Sequence, residues 1–576
     1  MRTPVRWLLL AVLAAGCGVG GSPTPGRTGS RYGGVFNFNE TEPLRSIFPL
    51  TLTQAASFRI MAQVYQGLVT FDRHDLSIKP CLAERWEVNA TATEYTFHLR
   101  KGVRFHNDPA FPEGKGRELV AADVVHCFNA ICTNGIGDQV MWLFQDRVEG
   151  ANAHYAATAH APPPPGGVKG ISALDERTVR IRLTQPTPNF LQIVAHQGCW
   201  IWPKELVTTY GPSPADHAIG TGPFVMHPLA PGEAMVLERN PEYWDLTDEG
   251  SPLPYLDAVR VTFEEDKNAE TEAFLNGRLS AMVELPLQRL EDLRDTVGPD
   301  GKLRFRLLRM PALSTQFYSF DIHRPPFNDE RVRKAISWAI DQRYLVDSVL
   351  GGMATPAEHG IVAPGLTDYP YARVPGCGHD PARARALLAE AGYPDGRGFP
   401  PVQLQANADG FGYVEVAEAV QEMLQRELNI SISISMVRAD EHYDRVEHGR
   451  VRFWREGWTA DHPDPENFLA LFYGRNAVRD TALPASINMT RFHDAAFDGR
   501  FALAQRTINA AERYGLLAAA DSVMMARMPI VPLYHENAAY LVQPRVRDLA
   551  LNPIEFLDLS RVWIEDEAGD AAQAAQ

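Results

Sequence analysis

A helical pattern that runs straight into a strand pattern constrains this chain more than any other feature. Over residues 416–428 apolar side chains recur at helical spacing; directly afterwards Ile430, Ile432, Ile434 and Met436 alternate with Ser431, Ser433 and Ser435. Alternation with a period of two turns one face of a strand inward. Two further helix patterns precede it. Asp329 opens one whose stripe is Val332, Ala335, Ile336, Ala339 and Ile340, with Arg331, Arg333 and Lys334 outside it. Asp380-Pro381 places a cap and a first-turn proline ahead of Leu387 and Leu388, and Gly392 with Pro394 ends that helix. Helices alternating with strands predict an α/β fold.

The first half reads differently. Val35-Phe36-Asn37-Phe38-Asn39 alternates as a strand does, and Ile60, Val64 and Leu68 predict a helix over 55–68. From Pro80 onward, Tyr95, Phe97 and Leu99, and later Val179, Ile181 and Leu183, predict half-buried strands. Between them lie a helix over 123–131 and a loop over 156–167 containing four consecutive prolines. This block predicts a separate small α+β unit, and 576 residues leave room for two or three domains.

The N-terminus has the layout of an export signal: Arg2 and Arg6, then an apolar run from Trp7 to Ala15 too short to span a bilayer. It closes on Leu13-Ala14-Ala15-Gly16-Cys17 and resembles a bacterial lipoprotein signal, with Cys17 as the lipidated residue. Ala14 stands where leucine is usual, so ordinary cleavage near Gly16 is the alternative. Residues 18–34, rich in Gly, Ser, Pro and Thr, predict a flexible tether. No second apolar run is long enough for a membrane span, since Asp521, Arg527 and two prolines interrupt 516–533. The formal net charge of −16 and the scattered basic residues exclude nucleic acid as a partner. Any membrane attachment must come from the anchor alone. Cys81, Cys127, Cys132, Cys199 and Cys377 remain, an odd number without a CxxC, and predict small buried hydrophobes.

Catalytic signatures are missing. There is no Gly-x-Ser-x-Gly elbow, and His535-Glu536 is followed by Ala539 where a zinc-binding helix needs its second histidine. Asp461, Asp464 and Glu466 invite a calcium reading, but such a loop needs glycine where Glu466 stands and glutamate where Phe472 stands. Gly220-Thr221-Gly222-Pro223 reads as a turn. No metal, no cofactor and no enzymatic activity are predicted.

The stretch Gly457-Trp458-Thr459-Ala460-Asp461-His462-Pro463-Asp464-Pro465-Glu466-Asn467-Phe468 resembles the ligand loop of the oligopeptide- and dipeptide-binding proteins of ABC importers, solute-binding protein family 5. Pro80-Cys81-Leu82-Ala83-Glu84-Arg85-Trp86, Gly220-Thr221-Gly222-Pro223-Phe224, Asn240-Pro241-Glu242-Tyr243-Trp244 and Pro326-Phe327-Asn328-Asp329-Glu330-Arg331 resemble further landmarks, in the family's order. The resemblance implies an α/β, two-lobed periplasmic-binding-protein fold of class II, the large peptide-binding type, with an additional inserted α+β domain. By resemblance, 1–16 is a signal peptide, 17–32 a tether, and 33–78, 190–308 and 530–576 form lobe I. Residues 79–189 are the inserted domain and 309–529 lobe II. Asp461 would pair with a ligand ammonium, Trp458 would supply an apolar or cation-facing wall, and Thr459 would line the same site. The dipeptide-binding branch holds the ligand carboxylate with an arginine before the third helix; here Asn407-Ala408-Asp409-Gly410 stands there, which favours longer peptides or a non-peptide cargo. The implied protein is an extracytoplasmic, lipid-anchored monomer that captures an oligopeptide-like ligand for an ABC permease. The alternatives are a metal chelate or other small solute in the same fold, a receptor that signals rather than transports, and, behind these, an extracytoplasmic hydrolase.

Overall fold

The computed structural model describes residues 31–565, except 42, 43, 45, 53, 213, 215, 228–233, 284–303, 367, 377, 408–411, 479–482 and 486. The expectations for the signal, Cys17, Cys377 and Ala408-Asp409-Gly410 lie outside the described residues, as does most of the tether.

Two α/β lobes share a pair of long strands. In the first lobe β1 (Val35–Asn39) runs parallel to β10 (Ala258–Thr262), which continues antiparallel into β9 (Met235–Arg239) and β8 (Phe224–Met226). Phe36 and Phe38 face the core of this lobe, as the alternation predicts. Between these segments lies a four-stranded antiparallel sheet, ordered β4 (Ala83–Val88), β5 (Glu94–Leu99), β7 (Thr178–Arg182), β6 (Ile171–Asp175). With the helix Ala121–Ile131, it forms the inserted α+β domain. Tyr95, Phe97, Val179 and Ile181 are buried in it.

The second lobe is built on a sheet ordered β11 (Ala281–Met282), β17 (Ile530–Val542), β12 (Arg306–Phe320), β16 (Phe453–Thr459), β14 (Val402–Asn407), β15 (Ile432–Val437), with β13 (Ala354–Pro356) on β17. β14 passes through the helix Tyr413–Leu428 into β15, a parallel crossover. Val416, Val420, Met423 and Leu424 of that helix are buried in a core that includes Leu404, Ile432 and Phe453. Each fully buried aliphatic or aromatic side chain contributes about 1.5–3 kcal/mol. The caps act as predicted: Asp329 accepts from Arg331 N and Asp380 from Arg383 N.

β12 and β17 run through both lobes. Residues Arg306 to Pro311 pair with Val542 to Asn537 at the first-lobe end, and Thr315 to Ser319 pair with His535 to Ile530 at the other. Between these registers β12 carries two extra residues, a bulge that bends the pair where the lobes meet.

Two local expectations are corrected. The helix predicted over 55–68 ends at Met61, because the Val64 carbonyl is needed elsewhere: it accepts from Gly222 N at 2.9 Å. Gly220-Thr221-Gly222 is accordingly more than a turn. A Cβ at Gly220 would overlap the Val64 carbonyl, so only glycine permits this backbone approach. The loop over 156–167 begins later than predicted, since Ala151–Thr158 is helical. Cys81, Cys127, Cys132 and Cys199 are free and buried. Among the described residues no helix is long and apolar enough to cross a membrane.

Candidate ligand-binding site

β16 delivers the candidate residues to the bulge. It lies inside the sheet, antiparallel to β12 and parallel to β14, so its side chains alternate between the two faces. Arg455, Gly457 and Thr459 share one face; Trp454, Glu456 and Trp458 take the other. The chain then leaves the sheet through 460–464 and enters the short helix Pro465–Leu469, capped by Asp464.

Three acids follow β16 within six positions, and their environments differ. Asp464 receives both Arg513 guanidinium nitrogens, at 2.6 and 2.7 Å, besides capping the helix. Glu466 accepts from Arg513 at 3.1 Å and from Asn189 at 3.0 Å, and pairs with Arg147 at 3.5 Å. These two acids tie the loop to Arg513 and, through Asn189 and Arg147, to a part of the chain 277 and 319 residues before Glu466. Asp461 has no cationic side chain within 4 Å among the described residues. Its Oδ2 accepts from the Asn467 amide at 3.3 Å, and its own N–H donates to Asn467 Oδ1 at 3.2 Å. Trp458 Nε1 donates to the same oxygen at 2.7 Å, so Asn467 fixes the wall and the carboxylate together. Burial raises the Asp461 carboxyl above the ordinary aspartate range, against the opposing pull of His462 and the Asn467 amide. A buried carboxylate without a counter-ion is unfavourable, and a ligand cation relieves it.

The face of β16 opposite Trp458 carries a guanidinium in the complementary condition. Arg455 is 6 % exposed and has no carboxylate within 4 Å among the described residues. It donates to Asn407 Oδ1 at 3.2 Å and to Gln316 Oε1, and its plane lies 3.7 Å from the centroid of the Tyr413 ring. Its Nε is buried without a hydrogen bond. Burial acts against its charge, but the surrounding tyrosines 413, 443 and 534 together with Glu536 hold the pKa above the ordinary arginine value. Behind it His442 is fully buried, with its pKa pushed down to about 4 by burial. The ring is therefore neutral at pH 7, with Nε2 donating to the Arg455 carbonyl at 3.0 Å and Nδ1 accepting from Gln405 at 3.1 Å. Gly457 leaves the space that Arg455 and Gln316 fill, because a Cβ there would overlap both side chains. Gly457→Ala is expected to destabilise the protein by about 1–3 kcal/mol through overpacking. An unchanged urea midpoint would show instead that the two side chains move aside freely.

The structure therefore gathers Trp458, Thr459, Asp461 and Asn407 around the end of β16, with Asn407 serving as an acceptor for Arg455. Arg455, Gln316, Tyr413 and Glu536 belong to the same region and were missed in the sequence. The available signal was Arg455-Glu456, two charges inside an otherwise apolar central strand.

Residues 77–480 match the family model for the bacterial extracellular solute-binding proteins, family 5, and the chain belongs to that family. It is 27% identical to a probable di/tripeptide-binding protein 5 of Pseudomonas aeruginosa, over 90% of this chain and 92% of that one. It is 25% identical to haem-binding protein A of Haemophilus influenzae, over 88% of each chain. Among solved structures, the periplasmic binding protein DppA of Helicobacter pylori in complex with the peptide STSA superposes with a TM-score of 0.75. That match has 24% identity and covers 93% of this chain and 99% of the other. The two-lobed periplasmic peptide-binding fold is thereby shown. Family members are binding proteins rather than enzymes.

Proposed function

We propose that the chain is an extracytoplasmic receptor that captures a peptide between its lobes and hands it unaltered to an ABC permease. One observation carries this reading: a half-buried carboxylate, Asp461, and a buried guanidinium, Arg455, stand in one region, each without an oppositely charged side chain within 4 Å among the described residues. A zwitterionic ligand supplies both missing charges, its ammonium to Asp461 and its carboxylate to Arg455. Thr459 lies between them on the Arg455 face of β16, and Trp458 stands beside Asp461 through their shared partner Asn467. From Arg455 to Thr459 the strand advances about 13 Å, the length of about four extended residues, so short peptides fit. The guanidinium that residues 407–410 do not provide is thus supplied from the neighbouring strand. The buried unpaired charges favour such a ligand over an apolar porphyrin, despite the haem-binding relative. A metal chelate or another small solute is tested by the same measurement.

The proposed division of the chain has lobe I in 33–78, 190–308 and 530–576, the inserted domain in 79–189 and lobe II in 309–529, with β12 and β17 continuing through both lobes. Residues 1–16 are proposed as the export signal and 17–32 as the tether, with lipid on Cys17 as the only membrane attachment and the body a monomer. Closure follows because a ligand contacting both lobes binds the closed form better than the open one.

A thermal-shift screen of free and doubly capped peptides tests the reading. At a hundredfold excess over Kd, a bound free peptide is expected to stabilise the native state by about 2.7 kcal/mol, while the capped analogue gives no shift. Equal shifts for both, or a response only to metal complexes, would overturn the peptide assignment.

A further inference from the structure

Resting on the peptide reading, we infer that Glu536 is a specificity-determining residue that selects peptides carrying a cationic side chain. Glu536 lies on β17 beside the register shift, where the two lobes meet. Its Oε2 accepts from Ser314 Oγ at 2.5 Å, and Ser314 Oγ in turn meets Thr459 Oγ1 at 3.1 Å. The Ser314 hydroxyl thus links the carboxylate to Thr459, the last β16 residue before the Asp461 loop. Glu536 is half-buried, whereas Thr459 is exposed, so the row opens toward solvent. Among the described residues no Lys, Arg or His side-chain nitrogen lies within 4 Å of the Glu536 carboxylate oxygens; Arg455 acts on it only from farther away.

Charge counting then points to a ligand class. Among the described residues the region presents two carboxylates without a basic side chain within 4 Å, Asp461 and Glu536, against one guanidinium, Arg455. Glu456 is held on the other face of β16 by Ser319 and Trp454. The termini of a peptide satisfy Asp461 and Arg455 and leave Glu536 uncompensated. Closing the lobes removes water from the carboxylate and makes the imbalance more costly. A lysine, ornithine or arginine side chain on the ligand restores neutrality. A peptide with an uncharged side chain of the same length leaves the carboxylate desolvated and unpaired. If Glu536 served only to hold the bulge through Ser314, an amide oxygen would serve equally well, which makes Glu536→Gln the informative substitution.

The test uses the full chain and isothermal titration of alanine tripeptides, with lysine placed at each position in turn and norleucine as the uncharged counterpart. For at least one position the lysine peptide is expected to bind about tenfold or more tightly than its norleucine partner. In Glu536→Gln that preference is expected to shrink below about threefold, the lysine peptide losing affinity and the norleucine peptide gaining it because no desolvated carboxylate remains, with the thermal midpoint nearly unchanged. Equal affinity for lysine and norleucine peptides at every position in the wild-type protein would overturn this inference alone. Survival of the preference in Glu536→Gln would do the same. Binding of neither series would overturn the peptide reading and this inference together.

Discussion

Replacing Arg455 with methionine is expected to weaken binding of a short peptide with a free C-terminus by two to three orders of magnitude. The estimate rests on the cost of leaving one member of a buried ion pair without its partner, about 3–5 kcal/mol. Gln316, Asn407 and the Tyr413 ring already hold the guanidinium, so little of the gain from pairing is spent on ordering it. The C-terminally amidated peptide provides the control. It should bind weakly to the wild-type protein and lose little further in Arg455→Met. Arg455→Lys should fall between the two, because an ammonium keeps the charge but cannot span Gln316 and Asn407 while facing a carboxylate with two donors. Added salt should change these differences little, since a pair closed off from solvent is poorly screened. If free and amidated peptides lost affinity equally, Arg455 would be acting through the packing of β16 and not through a ligand carboxylate.

The part of this architecture that depends on local chemistry was readable in the sequence. Asp329 and Asp380 cap helices through side chains that accept from N–H groups two or three residues on, and the serine alternation after Ile430 marks a strand paired on one side to β14. What escaped depends on partners distant along the chain. Asp461, Asp464 and Glu466 look equivalent in the loop; Arg513 and Arg147, far from it in sequence, occupy two of them and leave the third. Arg455 gains meaning only from Gln316 on β12 and Tyr413 at the start of the crossover helix. The helix over 55–68 failed for a similar reason, since its apolar spacing continues but Val64 surrenders its carbonyl to Gly222. Periodicity records which face is buried. It does not record which backbone group a remote strand will claim.

Asp461→Asn separates charge from shape more cleanly, because an asparagine oxygen still accepts from the Asn467 amide. The substitution is expected to cost a free-amine peptide about 3–5 kcal/mol of binding, while an N-acetylated peptide, weak from the start, changes little. Proton linkage supplies a second readout with a definite sign. In the unliganded protein burial holds the Asp461 carboxyl above its ordinary range, so it keeps its proton to a higher pH than a solvated aspartate. A bound ammonium favours the carboxylate and lowers that pKa, so the complex holds fewer protons than the free protein between the two values. Affinity is therefore full above the free-protein pKa and falls as pH drops through it, with proton release on binding in that window. At the upper end it falls again once the peptide amine deprotonates, near pH 8. Titrations in buffers of different ionisation enthalpy measure the released proton directly. In Asp461→Asn the acidic limb and the proton release should disappear and the alkaline limb should flatten, because both limbs report the pairing of this carboxylate with the ligand's ammonium. An acidic limb that survived the substitution would place the pH response on another carboxylate and detach Asp461 from the ligand's amine.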